Sequence, residues 1–96
     1  MGYMATRSEI LTKFFSILRD YGHGSGLSFS SSPEDLLQRS EKMSLRYDLD
    51  LGEVETSGLY IELADAFGFD PGDFYEYYSP AVGDLVRLVL SKVDVD

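Results

Sequence analysis

The chain has 96 residues, 44% of them apolar and 26% charged, enough for one compact domain and too few for two. With no cysteine and a single histidine, His23, the composition excludes a disulfide framework, a thiolate or histidine-rich metal site and a cysteine nucleophile. No apolar run approaches the roughly 20 residues that span a bilayer, and Thr6, Arg7, Ser8, Glu9 and Lys13 break up the stretch where a signal peptide would carry its apolar core. The expectation is one soluble, cytoplasmic domain over residues 1–96.

Seventeen acids oppose eight bases, a net charge of -9. The excess is one-sided: residues 1–47 carry five acids and six bases (+1), residues 48–96 twelve acids and two bases (-10). Between Asp48 and Asp84 ten acids stand without a base. Such a stretch repels phosphate backbones and anionic lipid and attracts basic protein surfaces, so neither nucleic acid nor membrane is an expected partner. Solubility alone is the plainer reading of the same charge.

Thr6 and Glu9 have capping-box spacing, and Ile10, Phe14, Ile17 and Tyr21 follow at three- and four-residue intervals, predicting an amphipathic helix over 7–21 that Gly22 stops. Three glycines and five serines between Gly22 and Ser32 predict a long loop. Ser32, Pro33, Glu34 and Asp35 signal a short helical turn through about Arg39. The next helix is entered through Asp50 or Gly52 and closed by Gly68, with Val54, Ser57, Tyr60, Ile61, Leu63, Ala64 and Phe67 as its apolar stripe and Glu53 and Glu55 at the positive end of its dipole. Asp70, Pro71 and Asp73 open a short aromatic helix, Phe74 to Tyr78. Ser79 as N-cap and Pro80 as first helical residue start the last helix, with Val82, Leu85, Val86, Val89 and Val93 along one side. Little alternates with period two outside Val93–Asp96, so no sheet is expected. The fold class is all-α: a small bundle of three longer helices plus a short helix before the last.

Two ligand motifs fail on spacing. Asp48, Asp50 and Gly52 open like a calcium loop, but Glu53 takes the required glycine position and Leu59 that of the final glutamate. Gly22, Gly24 and Gly26 follow a helix and precede no lysine, so they are a connector rather than a phosphate cradle, and His23 among them is a solvated residue. Ser25 lacks the glycine of a nucleophile elbow, and no acid-base partner can be named for it. Catalytic residues are therefore none, and the chain is not expected to be an enzyme.

Ser44, Leu45, Asp48 and Leu49, the stripe ending at Leu63 and Phe67, and Val82, Gly83, Asp84, Leu85 and Val86 together resemble an acyl carrier protein. The likeness covers Ser44 to about Lys92, roughly half the chain, and runs without a gap from Asp48, matched to the family's Asp-Leu-Gly stretch, to the Val-Gly-Asp-Leu-Val opening of its fourth helix. Residues 7–21 supply a first helix, followed by a longer loop than the family has. The stretch from Phe69 through Tyr75, Tyr77 and Tyr78 also resembles a group of small, uncharacterised enterobacterial proteins with the carrier fold, many without the attachment serine, which would imply a bacterial origin.

The resemblance implies a 4'-phosphopantetheine arm on the serine of an Asp-Ser-Leu triplet. In the gapless register that triplet is Gly52, Glu53, Val54, and in a rival register, slipped by two, Glu55 takes the serine position. A glutamate cannot form the phosphodiester. Ser57 is the nearest hydroxyl and the cofactor site if the chain is a working carrier, although its use would cost the helix its first turn and leave Val54 out of the stripe.

The expected function is thus a non-enzymatic, carrier-like monomer without a prosthetic group. Its acidic second helix would dock a basic protein surface, by the resemblance one on an acyl-transfer or lipid-synthesis enzyme. The binding residues would be Asp48, Asp50, Glu53, Glu55, Glu62 and Asp65, joined by Tyr75 or Tyr77, since aromatics so close together cannot all face inward, whereas Phe74 and Tyr78 are assigned to the core. The alternatives are a functional carrier modified at Ser57 and, on size, charge and paired tyrosines alone, an acidic immunity-type inhibitor of a basic toxin or nuclease.

Overall fold

In the computed structural model, which describes residues 4–21, 32–76 and 79–95, helix α1 (Arg7–Arg19) starts at a complete capping box. The Glu9 amide donates to the Thr6 hydroxyl at 3.2 Å and the Thr6 amide to the Glu9 carboxylate at 3.1 Å. Its buried residues are Ile10, Leu11, Phe14, Phe15 and Leu18, so the core row is turned slightly from the expected one, and Ile17 and Tyr21 sit half-buried at its edge. Helix α2 (Pro33–Ser40) is N-capped by the Ser32 hydroxyl, which accepts from the Asp35 amide at 3.3 Å. It buries Leu36 and Ser40, whose hydroxyl donates to the Leu36 carbonyl at 2.6 Å. The expected loop at 22–32 lies outside the described residues, apart from its last position, Ser32.

Helix α3 (Glu53–Phe67) begins at Gly52, whose amide donates to the Glu55 carboxylate at 2.9 Å, and ends at Gly68, whose φ of 79° glycine adopts without a Cβ penalty. A 3-10 helix follows at Pro71–Glu76, and helix α4 spans Val82–Lys92. Three longer helices, the short α2 and the 3-10 turn before α4 make the all-α bundle expected, with α1 packed against α2, α3 and α4. None of the described helices is long and apolar enough to cross a membrane.

Three expectations need correction. First, Val54 and Ile61 are not in the core stripe of α3: they are 82% and 59% exposed, and Leu59 is buried in their place. The buried set, Leu59, Tyr60, Leu63, Ala64 and Phe67, follows three- and four-residue steps, and at about 100° per residue Ile61 lies a quarter-turn from Tyr60 with Val54 in line two turns earlier. Secondly, α4 does not start at Ser79 and Pro80. Its N-cap is Ala81, whose amide donates to the Asp84 carboxylate at 2.9 Å. The preceding chain is held extended by the segment after α2: the Leu45 amide donates to the Pro80 carbonyl at 3.2 Å, the Val82 amide to Met43 at 2.9 Å and the Gly83 amide to Glu41 at 3.0 Å. Thirdly, the alternation near Val93 does form a strand: β1 (Met4–Ala5) and β2 (Asp94–Val95) pair in parallel.

The segment 41–51 is therefore a strap across the start of α4, anchored in the core by Leu45, Leu49 and Leu51. A turn in which the Ser44 hydroxyl accepts from the Tyr47 and Asp48 amides, and the Asp48 carboxylate from the Ser44 amide at 2.7 Å, sets its path. Where it crosses α4 the backbones touch: a Cβ on Gly83 would stand 2.8 Å from the Glu41 carbonyl oxygen. Gly83→Ala should therefore cost about 1–3 kcal/mol, Phe67→Ala ~3–5 kcal/mol, and Val54→Ala within about 0.5 kcal/mol of nothing, all read from urea unfolding. A large loss at Val54 together with a small one at Phe67 would reverse the assignment of the α3 faces.

Candidate functional site

The inner side of α3 and its surroundings enclose a groove. Glu53, Thr56, Ser57 and Tyr60, three or four residues apart, form one line down the first two turns, and Leu45, Arg46 and Leu51 of the strap face them. Tyr75 of the 3-10 helix, with Ser79 and Pro80, closes the third side, and the space holds about 530 Å³. The strap's leucines give it an apolar floor and the helix gives it a hydroxyl-bearing wall.

Tyr60 is its central side chain. The ring stacks on Phe74 at 4.8 Å and receives the Tyr75 ring edge-on at 5.1 Å. Burial, and then the nearby Tyr75, push its hydroxyl up to about 12. That hydroxyl has no hydrogen-bond partner among the described residues, although the side chain is only 3% exposed. Tyr75 is 58% exposed and donates its own hydroxyl to Ser57 at 3.1 Å. Arg46, exposed on the strap, lies over the Tyr47 ring at 5.8 Å.

The residues expected to bind a partner divide between two sides of α3. Glu55, Gly58, Glu62, Asp65, Val54 and Ile61 fall within about 120° of arc on the outer face, whereas Glu53 turns to the groove. The five side chains are exposed, and Tyr21 lies against Gly58, its hydroxyl 3.3 Å from where a Cβ would be. Burial raises the Tyr21 hydroxyl, as does the Glu62 carboxylate beside it. Glu55 also holds the Gly52 amide, so in the rival register the attachment position is occupied by a helix-capping carboxylate. Asp48 closes the turn with Ser44, and Asp50 is exposed in the left-handed region at φ 55°, which Asp tolerates better than most residues. Ser57 is half-buried in the second turn of α3. Val54 lies outside the core stripe in any case, so that half of the objection to Ser57 falls away, whereas the intact first turn, Glu53 to Thr56, keeps Ser57 away from the helix start where the resemblance would put the attachment serine. Phe74 is fully buried, as expected. Tyr77, Tyr78, His23 and Ser25 lie outside the described residues.

Sequence reasoning brought Glu53, Ser57 and Tyr75 into view and missed Arg46, Thr56 and the unpartnered end of Tyr60. A signal for the floor was present: Leu49 and Leu51 alternate with Asp48 and Asp50, the mark of a chain with one buried side. Among the described residues no group of three or more His, Asp or Glu is placed to hold a metal ion. Compared with known proteins, the chain matches no family model, no curated protein and no solved structure.

A tyrosine raised by the fold contributes its stability in full below the ordinary value of 10.0 and loses it as pH climbs through about 12. Unfolding free energy should thus fall across that window, with Tyr21 acting in the same direction. Tyr60→Phe should flatten the fall, as measured by denaturant titration at stepped alkaline pH. An unchanged slope in the variant would assign the loss to other groups.

Proposed function

We propose that the chain is a non-enzymatic, acyl-carrier-like domain that carries no prosthetic group and docks a basic protein surface through the outer face of α3. The observation that supports this best is the composition of that face. Three exposed carboxylates, Glu55, Glu62 and Asp65, make no ion pair with a described residue and flank the two apolar side chains that α3 leaves outside the core, Val54 and Ile61. Lysines and arginines of a partner would meet the carboxylates while Val54 and Ile61 supply apolar contact. The acids steer the encounter over about 8–10 Å at ordinary ionic strength. By the resemblance, an acyl-transfer or lipid-synthesis enzyme is the kind of partner to look for.

The absence of an arm rests on both registers: Glu53 or Glu55 stands at the attachment position, and neither can form a phosphodiester. Co-expression with a broad-specificity phosphopantetheinyl transferase should leave the intact mass unchanged. A gain of one arm, mapped to Ser57, would make the protein a working carrier instead. Gly52→Asp with Glu53→Ser restores the aspartate and serine of the family triplet and should gain modification, and continued inertness would count against the gapless register.

Docking is tested by reversing charges that do not cap the helix. Glu62→Lys with Asp65→Lys should slow association with a captured partner by about tenfold at low salt. Stability should change by no more than about 1–2 kcal/mol, since both side chains are exposed and Glu62 loses only its bond with the Tyr21 hydroxyl. Added salt should slow the wild-type protein in the same way. An association rate indifferent to salt and to the double reversal would remove the outer face of α3 from the interface.

A further inference from the structure

The groove on the opposite side of α3 has features that outer-face docking does not use, and we propose that it reversibly binds a small monocarboxylate with a compact apolar body. Its volume, about 530 Å³, falls within the roughly 300–1,000 Å³ of small-molecule sites. Leu45, Leu51 and Pro80, all buried, supply apolar surface, and Tyr60 and Tyr75 supply aromatic walls.

Two of the polar groups in this space, the Tyr60 hydroxyl and the Arg46 guanidinium, are donors that meet no described acceptor. Tyr60 is only 3% exposed and its hydroxyl meets no described acceptor; because no fully buried side-chain oxygen or nitrogen of the described residues lacks a partner, its oxygen keeps some exposure, and Tyr60 lines the groove. A hydroxyl in that position gains most from a ligand that accepts its proton. Like any tyrosine it is an O–H donor in the neutral range, and burial extends that state into alkaline solution. Arg46 is the only cation among the described lining residues; it lies over the Tyr47 ring and makes no ion pair with a described residue, leaving its guanidinium edge for a two-oxygen acceptor. Gly52 and Glu53 bring the N-terminus of the fifteen-residue α3, the positive end of its dipole, to the same space.

The charge balance selects the ligand's valence. One guanidinium faces a lining that also holds Glu53, in a chain of net charge -9. A single negative charge can be matched by Arg46 and the Tyr60 hydroxyl, whereas the second charge of a phosphate monoester would meet the surrounding carboxylates. The apolar floor excludes a fully hydrated anion for the same reason that it favours an amphipathic one.

The test uses the whole chain with benzoate, phenylacetate and hydrocinnamate as ligands, their alcohols as neutral controls and phenyl phosphate as the dianion, followed by amide NMR shifts and calorimetry. A carboxylate should saturate below about 10 mM, with shifts gathered at Arg46, Leu51 to Tyr60 and Tyr75. Tyr60→Phe and Arg46→Gln should each weaken it by about 5–20-fold, as should replacing the carboxylate by the alcohol, and phenyl phosphate should bind more weakly than the carboxylates. Arg46 is exposed, so its variant keeps the fold and decides the matter if Tyr60→Phe disturbs the ring stack. Absence of saturation by all three acids, shifts confined to another surface, equal binding of acid and alcohol, tighter binding of phenyl phosphate, or affinity unchanged in both variants would each overturn the proposal. None of these outcomes depends on whether the outer face of α3 docks a protein.

Discussion

The backbone contact between Gly83 and Glu41 governs the arrangement of everything around α3. With the carbonyl oxygen of Glu41 only 2.8 Å from where a side chain would begin, α4 and the end of α2 approach more closely than any L-residue with a Cβ allows. That approach lets the Gly83 and Val82 amides, orphans at a helix start, find the Glu41 and Met43 carbonyls. Once those bonds form, the strap has one course, and Leu45, Leu49 and Leu51 drop into the core along it. The groove wall carrying Arg46 is therefore set by a residue that does not line the groove.

Helix α3 is used on both sides. Its inner line runs from exposed Glu53 through half-buried Thr56 and Ser57 to buried Tyr60, a gradient from water to core within two turns. Its outer face carries acids beside uncovered aliphatic side chains, a combination that a helix serving only to fill a bundle does not need. Tyr21, lying across Gly58, ties that outer face back to the end of α1. On one edge the two sides of α3 are separated by the buried residues Leu59 and Leu63, and on the other they meet directly, Ser57 of the inner line being one turn from Ile61 of the outer face.

Helix boundaries were legible in the sequence wherever local hydrogen bonding decides them. Thr6 with Glu9, Ser32 before Pro33, and Gly68 after Phe67 each satisfy orphaned backbone groups from within a few residues. Ser79 before Pro80 carries the same signal as Ser32 before Pro33 and failed, because Leu45, some 35 residues earlier, takes the Pro80 carbonyl. Val54 and Ile61 were misassigned because α3 is apolar over much of its circumference, and only packing partners determine which part faces inward. At the candidate site, Glu53, Ser57 and Tyr75 were legible as chemistry, yet their meeting in one groove was not. Nor were the backbone bonds that Asp48 accepts in its turn and Glu55 at its helix start, since both depend on turns whose exact course no periodicity describes.

The parallel pairing of β1 with β2 has a mechanical consequence. Met4 lies opposite Asp94 and Ala5 opposite Val95, so the first described strand and the last run side by side in the same direction. Force applied through the chain before Met4 and after Val95 pulls these strands in opposite senses along their axes, loading the bonds between them in shear rather than opening them one after another. The helices behind them remain unloaded until that pair gives way.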